Sequence, residues 1–303
     1  MSDLTRREVL KSGGLLAVGM MAPPWLASIA KADMVRTAQG GKIDPEAVLI
    51  VCQLSGGNDG LNTVVPTTSD VYYKMRPTLA IPKDQALAFA DGLGFHPAMT
   101  GVHELFKKGQ VAVIQNVGYP NPNRSHFRSM DIWQSASPDD KMKNGWIGRY
   151  FDINAAGAKL DPVAGIGLST EKPRALTAKA ASIPCFASLG DIQNMVGDAD
   201  MEKLLRDVQG AAAPEGSTAR AIQQANITAL DAVSALNTKL KGYTPKGTYG
   251  DDAFGRGFKQ ISQLVAVSPQ TRVIYFSVGG FDTHARQVDA HKNLMTGFSN
   301  GVK

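Results

Sequence analysis

Residues 47–60 read AVLIVCQLSGGNDG, eight apolar or near-apolar residues followed without a spacer by six that break any regular element. The first half, Ala47 to Leu54, is rich in β-branched residues and shows no polar alternation. That pattern predicts a strand buried on both faces, the kind found inside parallel sheets. The second half, Ser55 to Gly60, supplies glycine freedom and short polar side chains at the strand exit. The same succession recurs twice. Gln110 to Val117 is a second apolar run, leaving through Gly118-Tyr-Pro-Asn-Pro-Asn-Arg-Ser-His126, and Thr271 to Val278 is a third, leaving through Gly279-Gly-Phe-Asp-Thr-His284. A short strand is also expected from Pro162 to Leu168.

Helical spacing fills the intervals. Pro97 to Lys108 places Met99, Val102, Leu105 and Phe106 on one face, with proline at its start and Gly109 at its stop. Further helices are expected from Ser125, over Gly145 to Asn154, Asp198 to Val208, Thr218 to Leu240 and Phe254 to Val267. Between Leu168 and Met195 the pattern is mixed and assigns no order. Strands separated by helices predict an α/β class, a three-layer sandwich around a mostly parallel sheet.

In such sheets ligands bind beyond the carboxyl ends of the strands. If the three strands are parallel, their exit loops bring together Asn58, Asp59, Arg124, Ser125, His126, Asp282 and His284. Carboxylates with imidazoles are ligands for zinc or a similar divalent ion. A hydroxyl at a helix N-terminus beside a metal is a candidate nucleophile, here Ser125, and the planar fork of Arg124 suits phosphate or sulfate. Each residue has a plainer reading. Asn58-Asp59-Gly60 is ordinary turn chemistry and closes a hairpin if Leu61 to Val65 folds back on Ala47 to Leu54. Ser125 can simply cap its helix, Asp282 and His284 can bond within their loop, and His126 can donate to the backbone. His96 and His103 read as surface or packing residues, and His291, on a terminal helix, is assigned no role.

The chain has 303 residues, 43% hydrophobic and 19% charged, with 2 cysteines and a formal charge of +5. That composition excludes a disordered chain and a disulfide framework. Residues 1–32 hold four bases (Arg6, Arg7, Lys11, Lys31) against two acids (Asp3, Glu8), so two of the five net charges belong to them. No dense basic run remains elsewhere, and nucleic acid is not an expected partner. Those first residues carry Thr5-Arg6-Arg7-Glu8-Val9-Leu10-Lys11, a twin-arginine pattern. A short apolar stretch, Gly13 to Met21, follows, then Pro23-Pro24 and Ala30-Lys31-Ala32. We expect export by the twin-arginine machinery, cleavage near Ala32, a periplasmic or secreted location, and no integral membrane segment afterwards. Residues 33–303 are expected to form one α/β domain. Cys52 and Cys185 are expected to be free, buried thiols.

Several of these stretches also carry a family resemblance: GGNDGLNTVVP (56–66), YYKMRPTLAI (72–81), VGYPNPNRSHF (117–127), DIWQSA (131–136), GWIGRY (145–150) and GGFDTHA (279–285). Together they resemble the secreted bacterial family called domain of unknown function 1501, over about Val48 to Lys303. That family is similar in architecture to the alkaline phosphatase and sulfatase superfamily. The resemblance implies Asp59, Asp282 and His284 as metal ligands, Ser125 as nucleophile, Arg124 as anion contact, and an anionic ester as substrate. It also implies a late Asp-His ligand segment that does not follow His284 here, where only Asp289 and His291 remain. The expectation is therefore a C-terminally truncated member with a partial metal site and weak or no activity. Alternatives from other classes are a secreted binding or assembly protein that keeps the fold without catalysis, and an anion-binding periplasmic module.

Overall fold

The apolar run of residues 47–54 does become a strand, and it enters a parallel sheet through its hydrogen bonds to the last apolar run in the chain. The computed structural model describes residues 47–154, 160–190, 199–210 and 213–303. The expected leader, residues 1–32, lies outside them. Strand β1 is Leu49–Leu54. Asp59 then caps the single turn α1, Gly60–Thr63, by accepting from the Asn62 amide. A small antiparallel sheet follows, built from β2 (Val64–Pro66), β3 (Leu87–Ala90) and β4 (Leu93–Phe95) in the order β2-β4-β3. Helix α2, Asp70–Met75, lies between β2 and β3 in sequence and is capped by Ser69.

The helices α3 (Thr100–Lys107), α4 (His126–Ser135) and α5 (Trp146–Asn154) precede strand β5, Gly165–Leu168. A 3₁₀ turn at Arg174–Leu176 and the two-residue strand β6, Cys185–Phe186, come next. Helices α6 (Ala199–Gln209), α7 (Thr218–Lys241) and α8 (Ala253–Val267) lead to β7, Val273–Val278, and α9, Gln287–Val302. The main sheet has the order β1-β7-β5-β6 and every pair in it is parallel. Leu49 pairs with Val273 and Leu54 with Val278, so β1 and β7 end level with each other.

Period-two alternation on β7 sorts its side chains between two cores. Ile274, Phe276 and Val278 pack with residues of α3, α7, α8 and α9, including Val102, Leu236, Leu264 and Met295. Val273 and Tyr275 face the other way, onto Ile147 and Phe151 of α5 and Leu176 of the 3₁₀ turn. Helices thus cover both faces of a parallel sheet, as an α/β class requires. Each large apolar side chain buried this way contributes about 1.5–3 kcal/mol. No helix among the described residues is long and apolar enough to cross a membrane.

Three expectations change. Residues 110–117 pair with no strand among the described residues. Val111 and Val113 reach the larger core, while Ile114 is 57% and Val117 40% exposed. An apolar, β-branched run signals burial rather than pairing, and here only one side of it is buried. Strand β1 is an edge strand, not a doubly covered one, with Leu49 48% and Ile50 39% exposed. The hairpin reading of Asn58-Asp59-Gly60 also fails, because β1 pairs with β7 while Val64–Pro66 joins the other sheet. Cys52 and Cys185 are free, and burial pushes their thiols up to about 12 and about 11, so both are protonated at neutral pH.

Candidate metal centre

Two glycines at the end of β1 make room for the site. Gly56 (φ +109°) and Gly57 (φ +92°) occupy left-handed backbone conformations that favour glycine. A Cβ on Gly56 would lie 2.9 Å from the Asp282 amide nitrogen, and one on Gly57 would lie 2.6 Å from Cε1 of His126. The strand exit therefore allows close approach of both the loop after β7 and the first residue of α4.

His126, Asp282 and His284 meet there. Nε2 of His126 lies 3.1 Å and Nε2 of His284 2.6 Å from the same oxygen, Oδ1 of Asp282. One ligand atom from each residue falls within 4.8 Å of the other two. Two imidazole nitrogens and a carboxylate oxygen form a donor set suited to zinc and related divalent ions, and three protein ligands leave coordination positions free for a substrate or water. The donors fit such an ion. The site is open to solvent, with side-chain exposures of 44% for His126, 48% for Asp282 and 82% for His284.

Of the ligands expected from sequence, Asp282 and His284 are brought together and Asp59 is not. Its Oδ2 accepts from Arg76 at 2.5 Å and from Gln287 at 2.5 Å, and its Oδ1 from the Asn62 amide at 3.3 Å. Burial alone would raise the Asp59 pKa, but the bonds from Arg76 and Gln287 and the guanidinium charge outweigh it and hold the carboxyl below its usual range. The carboxylate is already neutralised, so a cation would have to displace Arg76. No local spacing in the sequence ties Arg76 or Gln287 to Asp59.

Where the sequence had pointed to Asp59, the third donor of the cluster is His126. Its neighbours Arg124 and Ser125 are exposed. Ser125 is the N-cap residue of α4 by position, yet its hydroxyl makes no capping hydrogen bond. The Ser125 amide donates to Oδ1 of Asn123 at 2.8 Å, and Arg124 forms no ion pair among the described residues.

Two clefts meet at the cluster. The more polar one, about 540 Å³, is lined by Asp59, Arg76, His126, Asp282, His284 and Gln287. The other, about 520 Å³, runs under α4 between Met130, Trp133, Trp146 and Tyr275. Gly57, Asn58 and His126 line both, whereas Arg124 and Ser125 line neither. The floor of the second cleft is a closed polar set. Gln134 donates to Gln53 at 2.9 Å and to the Tyr275 hydroxyl at 3.2 Å, and that hydroxyl donates to Gln53. Behind Asn58, the buried ring of His291 donates from Nε2 to Asn58 Oδ1 at 3.0 Å and packs edge-on against His96 at 5.4 Å.

No protein-family model, no curated protein and no solved structure matches the chain.

Proposed function

We propose that the protein is an exported hydrolase of phosphate or sulfate esters that works with a divalent metal held by His126, Asp282 and His284, on a plan related to the alkaline phosphatase and sulfatase superfamily. The observation that carries this reading is the convergence of three ligand atoms within 4.8 Å from the start of α4 and the loop after β7. When bound, the ion supplies Lewis-acid neutralisation of the ester's developing negative charge. The residues of the chain do the rest. Ser125, with a hydroxyl not used in capping, attacks the phosphorus or sulfur atom and loses its proton to water. The bond to the leaving oxygen breaks, that oxygen takes up a proton, and water then cleaves the seryl ester to restore the hydroxyl. Arg124 orients the anion, and the N-terminus of the ten-residue α4 adds partial positive charge beside it. Export through the twin-arginine route and a periplasmic location belong to the same proposal.

Turnover of 4-nitrophenyl phosphate and 4-nitrophenyl sulfate with added zinc tests the reading. Wild-type turnover lost in both Ser125→Ala and His284→Ala supports it. Equal turnover by Ser125→Ala removes the serine from the mechanism, and no turnover by the zinc-loaded wild type removes the reading. A second reading, a secreted binding protein without catalysis, is favoured by the exposure of Phe127 (85%) and Trp133 (50%) on α4.

A further inference from the structure

The cleft under α4 shares His126 with the metal cluster but has a different chemical character. Its walls are the two indoles Trp133 and Trp146, the Met130 thioether and the Tyr275 ring, and no lysine, arginine, aspartate or glutamate lines it. The polar groups on its floor are spent on one another. Gln53 accepts from Gln134 and Tyr275 and donates to the Met130 sulfur at 3.0 Å, and Gln134 accepts from the Ala175 amide at 3.3 Å. A hydroxyl-rich ligand such as a sugar would have to break that set. A flat, neutral ring would not, and indole faces and a methionine sulfur both hold aromatic rings well. The volume of about 520 Å³ falls in the usual range for small-molecule sites.

We infer that this cleft binds the organic part of the ester, and that this part is aromatic. The inference rests on the hydrolase reading for the word ester, since the shared His126 sets the cleaved group at one end of the cleft and the aryl group along α4. The rank order expected is aryl ester above alkyl ester, with most of the preference carried by the indole of Trp133.

The chain offers its own reporter. It has three tryptophans, and two of them, Trp133 and Trp146, line the cleft. The test is a titration of the purified protein, with and without zinc, with 2-naphthol, 2-naphthyl phosphate and glycerol phosphate. Binding is read by calorimetry and by the tryptophan emission, and zinc binding is measured separately by calorimetry. The expected result is that 2-naphthyl phosphate binds at least tenfold more tightly than glycerol phosphate and changes the emission, and that 2-naphthol alone does the same without metal. Trp133→Ala should lose about tenfold in both naphthyl ligands, while zinc affinity and the unfolding midpoint stay near wild type. Trp133→Phe should recover most of that loss. Equal binding of the aryl and alkyl phosphates, or naphthyl binding unchanged in Trp133→Ala, overturns the inference. Naphthol binding that depends on Trp133 in a protein that takes up no zinc overturns the hydrolase reading alone, and leaves the aromatic preference of the cleft standing.

Discussion

Gly57 does for the site what no side chain can, because its missing Cβ is the space the His126 ring occupies. Gly57→Ala puts a methyl 2.6 Å from Cε1 of that ring on a backbone with φ +92°. Strain of this kind costs about 1–3 kcal/mol, and the ring must turn away from Asp282. Zinc affinity, measured calorimetrically, should fall at least tenfold, and unchanged affinity would exclude His126 as a ligand. Asp59 makes the opposite case. Asp59→Asn removes the charge that pairs with Arg76, and a hydrogen bond to a charged group is worth about 1.5–3 kcal/mol. Urea unfolding should show a loss of that order with zinc affinity changed less than threefold. A tenfold loss of zinc affinity would restore Asp59 to the ligand set. At this scale the sequence put His126, Asp282 and His284 in one group of strand-exit residues, and those three do meet, whereas Asp59, expected as a ligand, is bonded to Arg76 and Gln287 instead. The sequence could not reveal that His126 bonds Asp282 across 156 positions, or that Arg76 reaches Asp59 across 17. Local spacing holds no record of such distances.

The starts of the longer helices were legible because their chemistry is local. Ser217 and Asp252 cap α7 and α8 with their side chains, accepting from Arg220 and from Phe254 and Gly255. Ser125 holds the same position on α4 without that bond. The Ser125 hydroxyl is therefore not used in capping, as the proposed nucleophile requires. Asp252→Ala should cost about 1–2 kcal/mol in urea unfolding, the usual effect of a lost cap. Ser125→Ala should cost under about 0.5 kcal/mol while removing ester turnover. A Ser125→Ala penalty as large as that of Asp252→Ala would return Ser125 to a capping role. Strands were harder to read. Thr271 to Val278 was recognised because both faces of β7 are covered, whereas the similar composition of 110–117 misled because one side of it faces solvent. The two-residue β6 and the β2-β4-β3 sheet were missed, since such short strands carry few alternations; four-residue β5 was expected only because it ends a longer apolar run, 162–168.

Across the molecule, the small sheet, the last helix and the β1 exit meet at two histidines to which the sequence assigns no part in the site. His96 follows β4 and is 7% exposed, with Nδ1 accepting the Ala98 amide at 3.0 Å. His291, on α9, is 1% exposed and donates to Asn58, which leaves its own Nδ1 buried without a hydrogen-bond partner. Both rings are held neutral. Burial first, then the charge that His291 would carry if protonated and the charge of Lys292, pull the His96 pKa from 6.5 down to about 4. Burial also lowers that of His291, with Asp59 opposing and Arg76 adding to the effect. The unfolded chain takes up protons near pH 6.5, and the folded chain resists until about 4, so the unfolded state binds more protons between those values. The stability tied to neutral His96 is therefore complete above about pH 6.5, falls as pH drops toward 4, and amounts to about 3 kcal/mol by linkage. Urea midpoints of wild type and His96→Gln at pH 7.5, 5.5 and 4.5 check this. The wild type should lose stability steadily over that range, and His96→Gln should start lower and lose distinctly less. Parallel losses in the two proteins would place the acid sensitivity elsewhere, because a residue that no longer titrates cannot contribute to the slope.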